Sequence, residues 1–478
     1  MSAGLLSRRS VLGRSALVVG SALAAGRDLA GARATAAESG PAASGSLATI
    51  DFAATTGRFA PAALWGFATS ALCDRNFSLC ADPRFVGAAA SLNMALLRLN
   101  STAGAGSTGS GYWTDAVFRN GADNPDWSVM AAFMNTAHEF VNPTCRLILG
   151  IKFHGTFARP SDYAAACRQM ATHLKNTPSG DRLLPVWGFE VDNETNGHLD
   201  IGTYCAFFNA AADALHAVDP RYEVIGPVDS HVDPGRLDTF ASNCGSRVGR
   251  ICYHNYRYCQ GSDPTPSDDA LFESRRPARD ARNARRALSG TPAASVPLMM
   301  GEWNMECAAG NEPREQEVVA APFSAYWILS GFLTGAGVDC GAVWELVNDG
   351  SYGAIQDGRI DPAGRFLSMA GQTMEGEQVS CDFARDGAIS LATKKGGGFA
   401  VMLVNYDGSA TRSGTVGLSH WPVNATGSGT ISRWEISRAF PRGNLTTLSV
   451  AGGATSATTV PPRSVVILTT EASPRATP

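Results

Sequence analysis

The sequence lacks the short motifs of several common hydrolase and cofactor-binding sites. Its eight His residues form neither H-x-H nor H-E-x-x-H, and its eleven Cys residues include no C-x-x-C pair, so a metal-dependent hydrolase is not indicated. There is no G-x-S-x-G, the nucleophile motif of α/β-hydrolases. One G-x-G-x-x-G occurs at residues 104–109, but no convincing helix follows it, which favours a flexible loop over a dinucleotide site. We therefore expect neither a metal nor a cofactor.

Positive charge is scarce as well. The chain has 39 Lys and Arg against 43 Asp and Glu, and its one Arg-rich stretch, ESRRPARDARNARRALSG, alternates in sign as a solvated helix face does. Because phosphate backbones require clustered positive charge, nucleic acid is not an expected partner.

The N-terminal segment has the pattern of an export signal. Arg8 and Arg9 precede the uncharged SALVVGSALAAG, and ATA at residues 34–36 offers small residues for cleavage. This predicts a twin-arginine signal over residues 1–36 and a periplasmic or extracellular protein. A disordered or anchoring N-terminus is the alternative.

A second uncharged stretch, residues 318–338, is long enough to span a bilayer. Pro322, Gly331 and Gly335 interrupt it, and a crossing there would separate two parts of the candidate site described below. We therefore predict a buried helix and no stable membrane insertion of the mature chain.

An exported chain can form disulfides, although an odd number of Cys leaves one without a partner in the same chain. Cys73 with Cys80 and Cys252 with Cys259 are near enough in sequence to pair. Spacing alone does not determine the connectivity.

Eight apolar runs alternate with helical patterns from about residue 61 to residue 370. The runs are ALWGFATS, MALLRLN, RLILGIKFH, LPVWGFEVDNE, YEVIGPVDS, RICYHNY, PLMMGEWN and DCGAVWELVND. Regular alternation of strand and helix predicts a parallel sheet, and eight such units fit an α/β (β/α)8 TIM barrel. An open doubly wound sheet is the alternative.

The remainder, residues 371–478, has short alternating runs such as AISLAT, GFAVMLVNY and RSVVILTT, separated by turn residues. This pattern predicts an accessory C-terminal antiparallel β-sandwich. LATIDFAATTG, within residues 37–60, also alternates and has no helix after it, so we expect it to add a strand to that domain.

Active sites of such barrels lie at the carboxyl ends of the strands, so the polar residues there are the candidates. They are Arg98 and Asn100 on the second strand, His154 on the third, Asn193 and Glu194 on the fourth, His254 and Tyr256 on the sixth, Glu302 on the seventh and Trp344 on the eighth. Glu194 and Glu302 can point across one mouth. Cleavage of a glycosidic bond needs such a pair, one acid to protonate the leaving oxygen and one base or nucleophile at the sugar carbon.

The stretch GFEVDNETN contains three carboxylates, Glu190, Asp192 and Glu194. Regular alternation places them on one face, where ionised groups repel each other, so at least one requires a partner. Glu190 is the candidate structural member. For Asp192, binding of a sugar hydroxyl and holding of a loop remain open.

Several of these segments resemble motifs of retaining (β/α)8 glycoside hydrolases of clan A. FEVDNETN is most similar to the FEVWNEPN-type motif of glycoside hydrolase family 39, which implies that Glu194, after Asn193, is the acid/base. MMGEWN then implies that Glu302 is the nucleophile, and LLRLN, YHNY and AVWEL match the strand-two Arg, the polar strand-six pair and the strand-eight aromatic residue. Asp192 and Thr195 depart from the pattern, which has an aromatic residue or Gly and a Pro there, so these motifs do not determine the substrate.

The resemblance implies double displacement with carboxyl groups about 5 to 5.5 Å apart. At that distance the charge of Glu302 should help raise the pKa of Glu194. The substrate-binding candidates are Arg98, Asn193, His154, His254, Tyr256, Trp344 and Asp192.

The expected partner is an oligosaccharide or polysaccharide, and the expected enzyme is β-xylosidase-like or an exopolysaccharide hydrolase. A transglycosylase would use the same two glutamates. A non-catalytic carbohydrate-binding barrel is the third hypothesis. Because binding alone needs no carboxylate pair, the presence of Glu194 and Glu302 speaks against it.

Overall fold

The structure is a computed structural model that describes residues 45–69, 82–99, 117–118, 121–176, 186–259, 262–307, 312–347, 352–383, 386–421 and 429–470. The expected signal segment, the Cys73 and Cys80 pair, Asn100 and the glycine-rich residues 104–109 lie outside these ranges.

The described chain consists of helices and strands with the following bounds. The strands are β1 Ser46–Ala60, β2 Gly66–Thr69, β3 Leu96–Leu99, β4 Arg146–Ile151, β5 Val186–Val191, β6 Glu223–Asp229, β7 Arg250–His254, β8 Leu298–Trp303, β9 Val338–Trp344, β10 Ile355–Gln356, β11 Arg359–Ile360, β12 Gly376–Asp382, β13 Ala388–Lys395, β14 Gly398–Asn405, β15 Arg412–Ser419, β16 Gly429–Ser437, β17 Phe440–Ala451, β18 Ala454–Thr455, β19 Thr458–Val460 and β20 Ser464–Thr469. The α-helices are α1 Pro83–Ser91, α2 Trp127–Phe140, α3 Pro160–Asn176, α4 Ile201–Val218, α5 Pro234–Cys244, α6 Asp268–Glu273, α7 Arg276–Leu288, α8 Ala320–Phe332 and α9 Pro362–Thr373.

Strands β2 to β9 pair in sequence order and close into a parallel barrel. Every one of the eight apolar runs contains one barrel strand, so the predicted fold class is confirmed. The strands are buried on both faces, because the helices cover the outside while small and branched side chains fill the inside. Inside lie Ala68, Leu96, Ile148, Ile225, Val228, Cys252, Met299, Cys340 and Ala342.

Asp residues begin many of the helices that follow the barrel strands. The side chains of Asp200 and Asp233 accept hydrogen bonds from backbone N–H groups in the first turns of α4 and α5. Such caps satisfy donors that the helix itself cannot bond. Both caps lie at the carboxyl-end side of the barrel, where they anchor the loops after β5 and β6.

The uncharged stretch at residues 318–338 contains α8, a helix whose residues are almost all buried. Among the described residues, no helix combines the length and apolar character needed to cross a membrane.

Ten strands form the β-rich domain in the order β1-β12-β13-β14-β20-β16-β17-β18-β15-β19. β1, from the alternating segment near the start of the described chain, pairs antiparallel with β12 and parallel with β15. The side chains of Leu47, Ile50 and Phe52 on β1 are buried in the core of this domain. From residue 45 onward, the described chain therefore passes from the β-rich domain through the barrel and back to the β-rich domain.

One disulfide links Cys259 to Cys307, with Cα atoms 4.8 Å apart. The predicted pairing of Cys252 with Cys259 is wrong, because Cys252 lies on β7 with its thiol inside the barrel, 3.4 Å from Glu190 Oε1. Cys259 lies beyond the end of that strand, next to the segment that follows β8. The two cysteines are close in sequence, but one thiol lies inside the barrel and the other lies beyond the strand end.

Candidate active site

A fully buried arginine, Arg98 at the end of β3, connects the carboxylates of two other strands. Its Nε donates to both oxygens of Glu190, at 2.9 and 2.7 Å, and its Nη1 donates to Glu302 Oε1 at 2.8 Å. Burial lowers the pKa of Arg98, but the charges of Glu190 and Glu302 outweigh burial and hold the pKa above its usual value. Glu190 thus balances one buried charge, which fits the structural role expected for it.

Gly301, directly before Glu302, allows β8 to pass close to Cys252 on β7. A Cβ atom at Gly301 would lie 2.4 Å from Cys252 Sγ, a distance at which no side chain fits. The same atom would lie 3.5 Å from Arg98 Nε, which is an ordinary contact. Glycine therefore lets β8 pass the Cys252 thiol while Glu302 reaches the mouth.

Glu302 is surrounded by hydrogen-bond donors. Besides the bond from Arg98, its Oε2 accepts from the Tyr256 hydroxyl at 2.9 Å and lies 3.4 Å from His254 Nδ1. Its side chain is 7% exposed. Donors held around a nearly buried carboxylate stabilise its negative charge, which a carboxylate nucleophile requires.

Glu194 follows β5 in a left-handed backbone conformation, with φ of 50°. Its backbone N–H donates to Val228 O at 2.8 Å, and its side chain is 41% exposed. Oε1 lies 2.7 Å from His254 Nδ1. One ligand atom each of Glu194, His254 and Glu302 lies within 4.8 Å of the others. The two carboxylates therefore approach each other at the mouth, as the paired carboxylates of a glycosidase must.

The pKa of Glu194 differs from the expectation drawn from sequence. Burial raises it, but the hydrogen bond from His254 and the charge of that ring outweigh burial and leave the pKa below its usual value. Burial lowers the pKa of His254, yet the charge of Glu302 and the bond to Glu194 raise it overall. The expectation considered only Glu302, because the contact between Glu194 and His254 cannot be read from the sequence.

The same three side chains, Glu194, His254 and Glu302, do not have the spacing of metal ligands. The 2.7 Å between His254 Nδ1 and Glu194 Oε1 is a hydrogen-bond distance, and it is shorter than the spacing of two ligands that each lie about 2 Å from a tetrahedral zinc ion. In addition, Glu302 Oε1 already accepts a hydrogen bond from Arg98 Nη1. The arrangement fits proton transfer better than metal binding.

Two further candidates border the carboxylate pair. Asn193 Oδ1 accepts from Arg98 Nη2 at 2.8 Å, so its Nδ2 is the atom with which it can bind a hydroxyl group. Trp344 ends β9 half-buried, and its carbonyl accepts from Asn304 Nδ2 at 2.6 Å, which fixes the backbone beneath the ring. Both residues lie at strand ends next to the mouth.

Asp192 makes the contacts of a residue that holds a loop. Its Oδ2 accepts from the backbone N–H groups of Phe153 and His154, at 3.0 and 2.6 Å, and its Oδ1 from that of Asn193 at 2.8 Å. The sequence left open whether Asp192 binds a sugar hydroxyl or holds a loop, and these three hydrogen bonds are those of a residue that holds a loop. His154 itself is exposed, and its ring packs 4.4 Å from that of His198 at the rim of the mouth.

Sequence reasoning missed the residues behind the Glu194 loop. Asp229 ends β6, and Arg236 on α5 pairs with it through Nε at 3.1 Å. Asp229 had a sequence signal, since it is polar at the end of the apolar run YEVIGPVDS. Arg236 had none, because its position on a helix is indistinguishable from that of a surface arginine.

The barrel with its β-rich domain is an architecture found in solved glycoside hydrolases. The chain is similar to a glucosidase from Croceicoccus marinus (TM-score 0.66, 14% identity, 89% of this chain and 99% of that one). It is also similar to a β-xylosidase from Caulobacter crescentus CB15 (TM-score 0.62, 14% identity, 88% of this chain and 98% of that one). The chain is similar as well to a family 39 enzyme from Xanthomonas axonopodis pv. citri (TM-score 0.58, 16% identity, 90% of this chain and 97% of that one).

Family 39 is one of several families represented. A family 51 arabinofuranosidase from Xanthomonas axonopodis pv. citri matches with a TM-score of 0.65 and 15% identity, over 88% of this chain and 99% of that one. No family model and no curated protein matches the sequence. These similarities establish the fold, and they do not distinguish family 39 from its neighbours.

Proposed function

We propose that the protein is a retaining glycoside hydrolase that cleaves O-glycosidic bonds in an oligosaccharide or polysaccharide. The observation that carries the proposal is the opposed pair Glu194 and Glu302, each with its own hydrogen-bond donors at the mouth of the barrel. The solved structures with this architecture are glycosidases, which supports the reaction class.

Each carboxylate has surroundings suited to one step of double displacement. Glu302, which accepts hydrogen bonds from Arg98 and Tyr256, attacks the anomeric carbon. Glu194 is the more exposed of the two, and it protonates the leaving oxygen and then activates water. Trp344 offers an apolar ring face to the C–H groups of the sugar.

Before the first step, Glu194 must carry a proton. In the free protein His254 favours its ionised form. A sugar that fills the mouth excludes water, which adds to the cost of a charge on Glu194 and favours its protonation. Substrate binding therefore prepares the acid.

A neutral sugar is the favoured substrate, as in β-xylosidases and some exopolysaccharides. A uronic acid would require a cation at the cleft, and the candidates in the sequence are Lys152, Arg159 and Arg257. Each of them interacts with another group, and the charge of Lys152 acts on Asp192. Arg159 pairs with Asp162 at 2.8 Å, and the guanidinium of Arg257 donates to Ala270 O. The similar solved structures are those of a glucosidase, a β-xylosidase and an arabinofuranosidase.

We further propose that the protein is exported through the twin-arginine route. The disulfide between Cys259 and Cys307 supports this, because such bonds persist in oxidising compartments. Replacing Arg8 and Arg9 by Lys should leave the protein, with residues 1–36 uncleaved, inside the cell. Efficient export of that variant would contradict the proposal.

Hydrolysis of aryl β-glycosides and exopolysaccharides by residues 37–478 tests the function. Glu194→Ala and Glu302→Ala should both lose activity, and azide should restore the first with a β-azide product and the second with an α-azide. Glu377→Ala, a carboxylate on β12 in the β-rich domain, is the matched control and should keep full activity.

Other outcomes separate the alternatives. Full activity in either glutamate variant would show that the wrong carboxylate was chosen. Products lengthened by one sugar when acceptor is added would identify a transglycosylase. A wild type that binds glycans without cleaving them would identify a binding protein.

A further inference from the structure

A buried ion pair lies behind the loop that carries Glu194. Arg236 Nε is 3.1 Å from both oxygens of Asp229, and the two side chains are 10% and 4% exposed. The guanidinium also lies over the ring of Tyr204, 5.8 Å from its centroid. Removing one partner of a buried pair of this kind is strongly destabilising. The two bonds to Asp229 and the contact with Tyr204 hold the guanidinium in one orientation.

The rest of the guanidinium contacts the Glu194 loop. Its Nη1 donates to Leu199 O at 2.8 Å, and its Nη2 donates to the hydroxyl of Thr195 at 3.2 Å. Thr195 is fully buried and directly follows Glu194. It stands where the family 39 motif has a proline, which offers no hydroxyl to accept such a bond.

The loop needs support because its backbone is strained. Glu194 has a φ of 50° and Val228 a φ of 58°, values that residues with a side chain rarely adopt. The N–H of Glu194 donates to the carbonyl of Val228, the residue before Asp229. Conformations of this kind persist only where the surroundings hold them.

We propose that Asp229, Arg236 and Thr195 form a clamp that positions Glu194 for proton transfer to the leaving group. The three residues act through the Glu194 loop and touch neither substrate nor reacting atoms. The inference rests on the proposed function, since it assigns the clamp to the acid/base of that reaction. The contacts of Arg236 with Asp229 and Thr195 are not implied by the motif resemblance.

Leaving-group dependence tests the clamp. A 2,4-dinitrophenolate leaves without a proton, whereas an alkyl or sugar oxygen requires the acid, which contributes on the order of 10²–10⁴ in rate. Thr195→Val keeps the side-chain shape and removes the acceptor of Arg236. We expect kcat/KM for an alkyl or disaccharide substrate to fall about 10-fold or more, with a change of less than about threefold for the dinitrophenyl glycoside.

Two variants control the experiment. Thr195→Ser keeps the hydroxyl and should restore the rate on the alkyl substrate. Thr239→Val, on α5 with a hydroxyl bonded only to Gly235 O, should leave both rates unchanged. Asp229→Asn, which keeps the shape of the partner of Arg236, should show the same selective loss as Thr195→Val, with folding checked by circular dichroism.

The outcomes distinguish this inference from the proposed function. Equal losses on both classes of substrate in Thr195→Val, or no loss on either, would overturn the clamp and leave the glycosidase intact. A wild type inactive on every glycoside would overturn the proposed function and the clamp with it.

Discussion

His254 opposes the acid role of Glu194 while it fixes that side chain in place. Its ring bonds Glu194 at Nδ1 and lies 3.4 Å from Arg98 at Nε2. Since Arg98 can only donate, Nε2 is the accepting nitrogen and Nδ1 carries the hydrogen in the neutral ring. A single donor therefore orients the acid and lowers its pKa.

Replacing His254 by Phe should move the basic limb of the kcat/KM profile to higher pH. The donor and its charge favour ionised Glu194, so their removal raises the pKa at which the acid loses its proton. Measurement of kcat/KM from pH 4 to 9 checks this. Trp344→Phe, which alters the ring face and not the donors, should weaken binding without moving the limb, and an unmoved limb in His254→Phe would contradict the assignment.

Tyr256→Phe should lower kcat/KM by about 10- to 100-fold, because a hydrogen bond to a charged group contributes about 1.5–3 kcal/mol. The hydroxyl donates a hydrogen bond to Glu302 Oε2 at 2.9 Å. Steady-state rates on an aryl glycoside measure the effect. An equal rate would show that Arg98 alone suffices to hold the nucleophile.

At the scale of elements, β7 and β8 continue their pairing beyond the barrel rim. Asn255 N bonds Glu302 O at 2.9 Å and Tyr258 N bonds Met305 O at 3.0 Å, and the disulfide closes this extension. Tyr256 lies on this extension, and Glu302 lies at the end of β8 where the extension begins. The contact between them thus depends on the alignment of two strand ends.

The double variant Cys259→Ser/Cys307→Ser should lower the free energy of unfolding by about 2–4 kcal/mol, since the bond closes a long loop. Urea unfolding with and without dithiothreitol measures this: the reductant should destabilise the wild type and have no effect on the variant. Cys381→Ser, a thiol outside any disulfide, is the control. Equal stability of wild type and double variant would show that the bond adds nothing to the paired strands.

At the scale of the whole molecule, the barrel and the β-rich domain share an apolar core. Phe323 and Trp327 on α8 belong to the same buried cluster as Met402 on β14 and Ile467 on β20. The ring of Phe272 stacks on that of Tyr406, with centroids 5.4 Å apart. Separation of the two parts would expose these surfaces to water.

Calorimetry of residues 45–478 should therefore show one cooperative unfolding transition. A fragment that ends at residue 375 should be insoluble or molten, because it exposes the face of α8 that the β-rich domain covers. Two resolved transitions, or a soluble fragment with native near-ultraviolet circular dichroism, would contradict a shared core.

Much of the fold could be predicted because its signals are local. Eight apolar runs with helices between them are enough to locate the strands of a parallel barrel, and strand ends are enough to select Glu194 and Glu302 as candidates. The disulfide was not predictable in this way. Cys259 and Cys307 are separated by 48 residues and meet only because their strands are neighbours in the barrel.

The barrel, the accessory β-rich domain and the strand ends at which the polar residues lie follow from local patterns in the sequence, because burial sets the periodicity of each element. Which of those residues touch follows only from the way the strands assemble. Arg98 pairs with Glu190 and Glu302, His254 bonds Glu194, Asp192 turns to backbone N–H groups, and Arg236 reaches the loop beside Thr195. Contacts of this kind depend on strand neighbours, on register and on left-handed residues such as Glu194, and none of these is specified by a local pattern.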